Sequence, residues 1–224
     1  MTTSLATPQV HNGLIGASLK PQIDSIITEL MVALPDPKQL TAEERRGIIA
    51  RYSAVLEGNF IYWMTATYLS TRSEEARPIL IDNLREEVGD CHPEMLRRFT
   101  VAANAFPTEA DARAVQADLT KVRLFLGRLS GVQNLLTMAF FEGYIQQFMS
   151  YLAELAELQG SSERVYTDVH GVCDVAHSEG LFRATAAEMA VNPLDRSADL
   201  FEGVDLLRNL IATINRVDGQ KIAA

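Results

Sequence analysis

The stretch Tyr166-Thr-Asp-Val-His170-Gly-Val-Cys-Asp174-Val-Ala-His177-Ser-Glu-Gly-Leu-Phe182 decides how the rest of the chain is read. Taken as helix, His170, Asp174 and His177 fall at i, i+4 and i+7. At about 3.6 residues per turn they stack on one face, within about 60° of each other. Two imidazoles and a carboxylate on one stripe make half a site for a first-row transition metal such as iron, manganese or zinc. Val169, Val172, Val175 and Ala176 lie between and beside them, so the stripe is expected to face an interior. The plainer alternative is a surface helix with scattered polar residues. Ligands supplied from elsewhere in the chain decide between the two.

Two other segments offer such ligands. Around Asn83-Leu-Arg-Glu86-Glu87-Val-Gly89, one helix ends, and His92-Pro93 opens the next, with proline comfortable in a first turn. An acid and an imidazole are thereby brought together across a short turn. Glu142 sits inside Met138-Ala-Phe-Phe141-Glu142-Gly-Tyr144-Ile145. A carboxylate wrapped in hydrocarbon is expensive unless it is neutralised; a cation does this, and a proton or hydrogen bond is the simpler remedy. The candidates are therefore Glu86 (or Glu87), His92, Glu142, His170, Asp174 and His177, which use every one of the four histidines except His11. Two divalent cations against three carboxylates leave a residual charge of about +1, tolerable in a dry interior. A single cation would need only about half of these ligands. The Glu-x-x-His pairs of ferritin-type di-metal bundles are absent, so that arrangement is not this one.

The remainder of the chain reads as helix. An amphipathic segment runs from about Gln22 to Ala33 and stops at Leu34-Pro35-Asp36-Pro37. Thr41 with Glu44 forms a capping box and opens a long, aromatic-rich helix to about Ser70. Thr108 with Asp111 starts another, interrupted near Gly127–Gly131, and an apolar helix covers Leu135 to Leu158. Gln159-Gly160-Ser161-Ser162 leads into the ligand helix, Val191-Asn192-Pro193 stops it, and a last amphipathic helix carries Leu200 to Ile214. No strand alternation, repeat, G-x-G-x-x-G or P-loop occurs. The expectation is an all-α, single-domain bundle of about seven or eight helices over 21–217, with 1–20 as a flexible N-terminal arm.

Composition bounds the function. An apolar share of 47% over 224 residues is ample for one core. A net charge of −9 argues against nucleic acid or an anionic membrane surface as partner. Cys91 and Cys173 do not suggest a disulfide framework, and Met1–Gly16 lacks the charged start and apolar run of a signal peptide. A cytoplasmic protein is expected.

On these motifs the chain resembles the heme-oxygenase-like di-iron oxidases and oxygenases, relatives of the heme oxygenase and thiaminase-II helical folds. The resemblance rests on the Glu86-Glu87 segment with His92, on Glu142, and on His170, Asp174 and His177, in the expected order over roughly 20–215. It implies a heme-oxygenase-like fold and two Fe(II) ions, with dioxygen as co-substrate for oxidising a small organic metabolite, amino-acid-like or fatty-acid-like, in specialised metabolism. It favours Glu86 as the ligand of the Glu-Glu pair and gives Glu86 and Glu142 a part in the reaction itself. The shorter gap to His92 keeps Glu87 in play. Phe141 and Leu152 stand where one branch carries a tyrosine and a lysine that it consumes, which argues against that reaction here. An external electron donor and a homodimer are further expectations. The rival is a metal-free enzyme on the same scaffold, of thiaminase-II or cofactorless-oxidase type. A heme-carrying bundle ranks third, since it would leave three histidines unexplained.

Overall fold

The computed structural model describes residues 9–217, with side chains from residue 19 onward. Nine α-helices and no strand occur among the described residues: α1 Gln9–Val32, α2 Ala42–Leu56, α3 Asn59–Ser70, α4 Ala76–Gly89, α5 His92–Ala102, α6 Glu109–Leu126, α7 Gly131–Leu158, α8 Val165–Val191 and α9 Glu202–Ile214. The all-α expectation holds, with one helix more than its upper count.

The extra helix comes from a break in the segment expected to run unbroken from Thr41 to Ser70. Its capping box is present: Thr41 Oγ1 accepts from the Glu44 amide, and Glu44 accepts from the Thr41 amide. But Gly58 adopts φ 76°, a left-handed conformation that ends α2 and redirects the chain into α3. The aromatic run in α3 then turns inward, where Trp63 meets Phe141 edge-on at 5.2 Å between ring centroids. At the N-terminus, α1 is helical from Gln9 and continues through Pro21, so the stretch expected as a loose arm begins its helix well before Gln22. Small residues such as Gly13, Gly16 and Ala17 carry no apolar period that would reveal a helix. Residues 1–8 lie outside the described residues, as does the side chain of His11.

α7 is the central column. Most of its side chains are buried, including Phe140, Phe141, Tyr144, Ile145 and Phe148. A helix apolar nearly all round must be surrounded, and α1, α2, α3, α8 and α9 all pack on it. α8 lies along it more extensively than any other pair of helices touches. α9 seals one side: a Cβ at Gly203 would collide with Thr137 Oγ1 of α7 and the Phe125 ring of α6, so glycine there permits close approach. α4 and α5 both contact α8, bringing the Glu86-Glu87 segment and His92 to the ligand helix.

The α2–α6 contact includes one ion pair that matters. Arg46 of α2 reaches both carboxylate oxygens of the buried Asp111, at 3.1 and 3.2 Å, while Asp111 also caps α6 through the Thr108 amide. Burial opposes the Asp111 charge, but the Arg46 and Thr108 hydrogen bonds outweigh it and hold the carboxyl below its ordinary range. A depressed folded value means the contribution is present above the unfolded value of about 3.9 and is lost as pH falls through the folded one. Asp111→Ala is expected to lower stability at neutral pH by roughly 2 kcal/mol in urea unfolding, with the deficit shrinking below about pH 4. Glu43→Ala, which removes the exposed partner of the same Arg46, should change stability by less than about 0.5 kcal/mol.

Candidate metal centre

The turn between α4 and α5 builds the first half of the site. α4 ends at Gly89, and Cys91 takes a left-handed conformation (φ 57°) that folds the chain back so that α5 opens on His92. His92 is thereby set over the last turn of α4, its Nδ1 2.9 Å from Glu87 Oε1. α8 brings His170 to the same carboxylate: its Nε2 lies 3.9 Å from Glu87 Oε1, and its ring centroid is 4.5 Å from that of His92. One ligand atom from each of Glu87, His92 and His170 lies within 4.8 Å of the others, and all three residues are buried. The Nδ1–H of His170 donates to the Tyr166 carbonyl at 2.8 Å, and since a carbonyl cannot donate, the tautomer leaves Nε2 with its lone pair facing Glu87.

The second half lies one turn along α8. Nδ1 of His177 is 3.6 Å from Asp174 Oδ1 and 3.8 Å from Glu142 Oε1, the latter reaching across from α7. Cys173, Asp174 and His177 also offer ligand atoms within 4.8 Å of one another. Glu142 Oε1, Asp174 Oδ2 and His177 Nδ1 are all buried without a hydrogen-bond partner. Such orphaned atoms are rare in folded proteins, and a set of them facing one another is the arrangement a cation resolves. The donor types, carboxylate oxygen and imidazole nitrogen, suit iron, manganese or zinc.

The electrostatics point the same way. Burial, reinforced by the charge of Asp174, pushes the Glu142 carboxyl well above its usual range. Burial also opposes charge on His177, yet Asp174, Glu142 and Glu86 outweigh it and raise the imidazole. His92 is raised against its own burial by Glu87, whereas burial lowers His170. Residues of both halves, though not His177, line a cavity of about 20 Å³: Glu87, His92, Glu142, Tyr166, His170 and Asp174, with Phe60, Ile61 and Leu96 as apolar walls. Outside it opens a groove of about 370 Å³ with Glu57, Glu94 and Arg97 on its sides, sharing Ile61, Glu87 and Pro93 with the cavity.

All of the residues anticipated from sequence thus converge on one region, with a difference inside the Glu-Glu pair. Glu87 is the buried member, with its side chain 7% exposed; the Glu86 side chain is 48% exposed and meets His177 from outside, its Oε2 accepting from Nε2 at 2.9 Å. The ligand stripe faces the interior as expected, although the apolar neighbours from which that was argued do not. Val172 is 77% and Val175 47% exposed, while His170, Asp174 and His177 are buried. The polar stripe, not the valines, is the inner face. Sequence reading missed Tyr166 as a wall of the cavity, although its place one turn before His170 puts it on the same stripe. The fold also pairs Glu57 with Arg97 at 3.5 Å in the outer groove. Gln146 reaches the Gly171 carbonyl at 3.5 Å.

Comparison with known proteins agrees. The family described as iron-containing redox enzyme matches residues 49–210, which includes all three ligand-bearing segments. The chain belongs to this family. No curated protein matches it. Membership of a family of iron-containing redox enzymes makes the chain an oxidoreductase by family, and the buried Glu87, His92 and His170 group is one that could hold a metal ion. The thiol of Cys173 donates to Asp174 Oδ1 at 3.2 Å and is pushed up by burial and by that carboxylate, which is unsuited to a thiolate nucleophile. No described helix is long and apolar enough to cross a membrane.

A buried carboxyl raised above its unfolded value of about 4.3 subtracts stability increasingly as pH climbs from that value through the folded one. In chelator, Glu142→Gln should therefore unfold at a higher urea concentration than wild type at pH 7, by on the order of 2 kcal/mol, with the gap closing towards pH 4.5. The same substitution should reduce the stabilisation that added Fe(II) confers on the wild type.

Proposed function

We propose that the protein is a non-heme di-iron oxidoreductase that uses dioxygen to oxidise a small organic substrate, with electrons from an external donor where the reaction requires them. What supports this is the doubling of the site: one group on Glu87, His92 and His170, another on Asp174 and His177 with Glu142 3.8 Å from His177, and Glu87, His92, His170, Glu142 and Asp174 lining one cavity. Ferrous iron, when bound by these residues, would supply the redox equivalents for reducing dioxygen.

The chain's own residues do the rest. Glu142 reaches from α7 towards the α8 ligands and would be one of the acids that hold a cation there. His170 is kept in the ligating tautomer by the Tyr166 carbonyl. Phe60, Ile61 and Leu96 keep the cavity poor in water, which strengthens every electrostatic interaction inside it. The outer groove admits the substrate. Arg97 is paired with Glu57 on its polar side, while Ile61 and Pro93 give the apolar walls along which the part to be oxidised extends towards Glu87.

Anaerobic titration with Fe(II), followed by equilibrium dialysis and metal analysis, should give two irons per chain. His92→Ala and Asp174→Ala should each lower the count by about one. Re-admission of dioxygen to the loaded wild type should consume it, as read on an oxygen electrode. A count of one iron would sink the di-iron assignment, and a count of zero would favour the metal-free rival.

A further inference from the structure

We infer that the adjacent Glu86 and Glu87 divide two tasks: Glu87 is a metal ligand, and Glu86 is a positioning residue that holds His177 so that its Nδ1 faces the cations. The inference rests on the di-metal reading above and assigns a role that the motif alone would have given to Glu86 as ligand.

Neighbouring helix residues point about 100° apart, so two consecutive glutamates cannot occupy one coordination position. Glu87 turns inward to His92 and His170. Glu86 turns along the outer edge of α4, and its half-exposed carboxylate accepts from His177 Nε2 at 2.9 Å across from α8. The opposite ring nitrogen is the one aimed at chemistry: Nδ1 is buried, unpartnered, and faces Asp174 and Glu142. An imidazole with a cation on one nitrogen keeps its proton on the other, and a carboxylate at that proton fixes ring orientation and increases the basicity of the ligating atom. Glu86 stands at the proton and the acids stand at the lone pair. The helices are thereby tied together through a ligand, α4 to α8, which Glu87 alone does only through the looser 3.9 Å contact to His170.

The test uses the full chain labelled with ¹⁵N-histidine and loaded with Zn²⁺, a redox-silent probe. Long-range ¹H–¹⁵N correlation spectra, with His177→Asn for assignment, should show His177 protonated at Nε2 and metal-bound at Nδ1. Competitive Zn²⁺ titration should show that Glu86→Ala still takes up two equivalents, the weaker one bound about 10–100-fold less tightly. Glu86→Gln, whose amide oxygen still accepts from Nε2, should recover most of that loss. Asp82→Asn, which removes an exposed carboxylate on the same helix, should leave both affinities unchanged, separating position from net charge. Coordination of His177 through Nε2, or loss of a whole equivalent of metal in Glu86→Gln, would make Glu86 a ligand and overturn the assignment while leaving the di-metal reading intact. A wild-type chain that takes up no Zn²⁺ or Fe(II) overturns both.

Discussion

A carboxylate with an unpartnered oxygen, Glu142, sits in the middle of a helix that is otherwise hydrocarbon, facing another acid and a histidine on the helix beside it. The interior around α7 and α8 is organised by this one juxtaposition. Left alone it is unfavourable, since two acids out of water repel each other and each keeps one buried oxygen without a hydrogen-bond partner. A protein that retains it does so for a purpose the apolar core does not explain, and cation binding is the purpose the ligand types suit.

The framework around this pair is built to resist relaxation. α7 is enclosed by helices on most of its circumference, and α8 lies against it over most of its length. Glu142 cannot swing to solvent without dragging α7 out of the core. Asp174 is likewise almost wholly buried, at 1% exposure. The other contribution comes from the short α4–α5 turn, where the left-handed Cys91 lets Glu87 and His92 approach each other within hydrogen-bond distance. Rigid helices thus present one half of the site and a turn presents the other, so that a single cavity can be closed from two directions. Access is then a matter of the surface: the groove that carries Arg97 and Glu57 meets the cavity at Ile61, Glu87 and Pro93.

Val172 and Val175 are the kind of side chain expected to mark a buried face, yet they are exposed, while the two histidines and the aspartate of the same helix are not. Hydrophobicity along α8 is a poor guide because the face is chosen by partners on α4, α5 and α7. Glu86 and Glu87 make the same point with identical chemistry. Nothing in the two side chains distinguishes them; only the phase of α4 relative to α8 sends one inward and leaves the other at the outer edge of His177.

Much was legible before any coordinates. The i, i+4, i+7 stripe on one helix, the carboxylate at 142 within an apolar run, the acid and imidazole flanking a Gly-Asp turn, the capping boxes at Thr41 and Thr108 and the all-α class are local properties, set by helical periodicity and by the expense of burying charge. Tertiary structure alone decided the break at Gly58, the helical course of α1 through Pro21, the inward turn of Glu87, and the meeting of Arg97 with Glu57. Each of these depends on the angle at which one helix meets another. That angle is fixed by the packing of whole faces, a sum over many distant side chains that no short stretch contains.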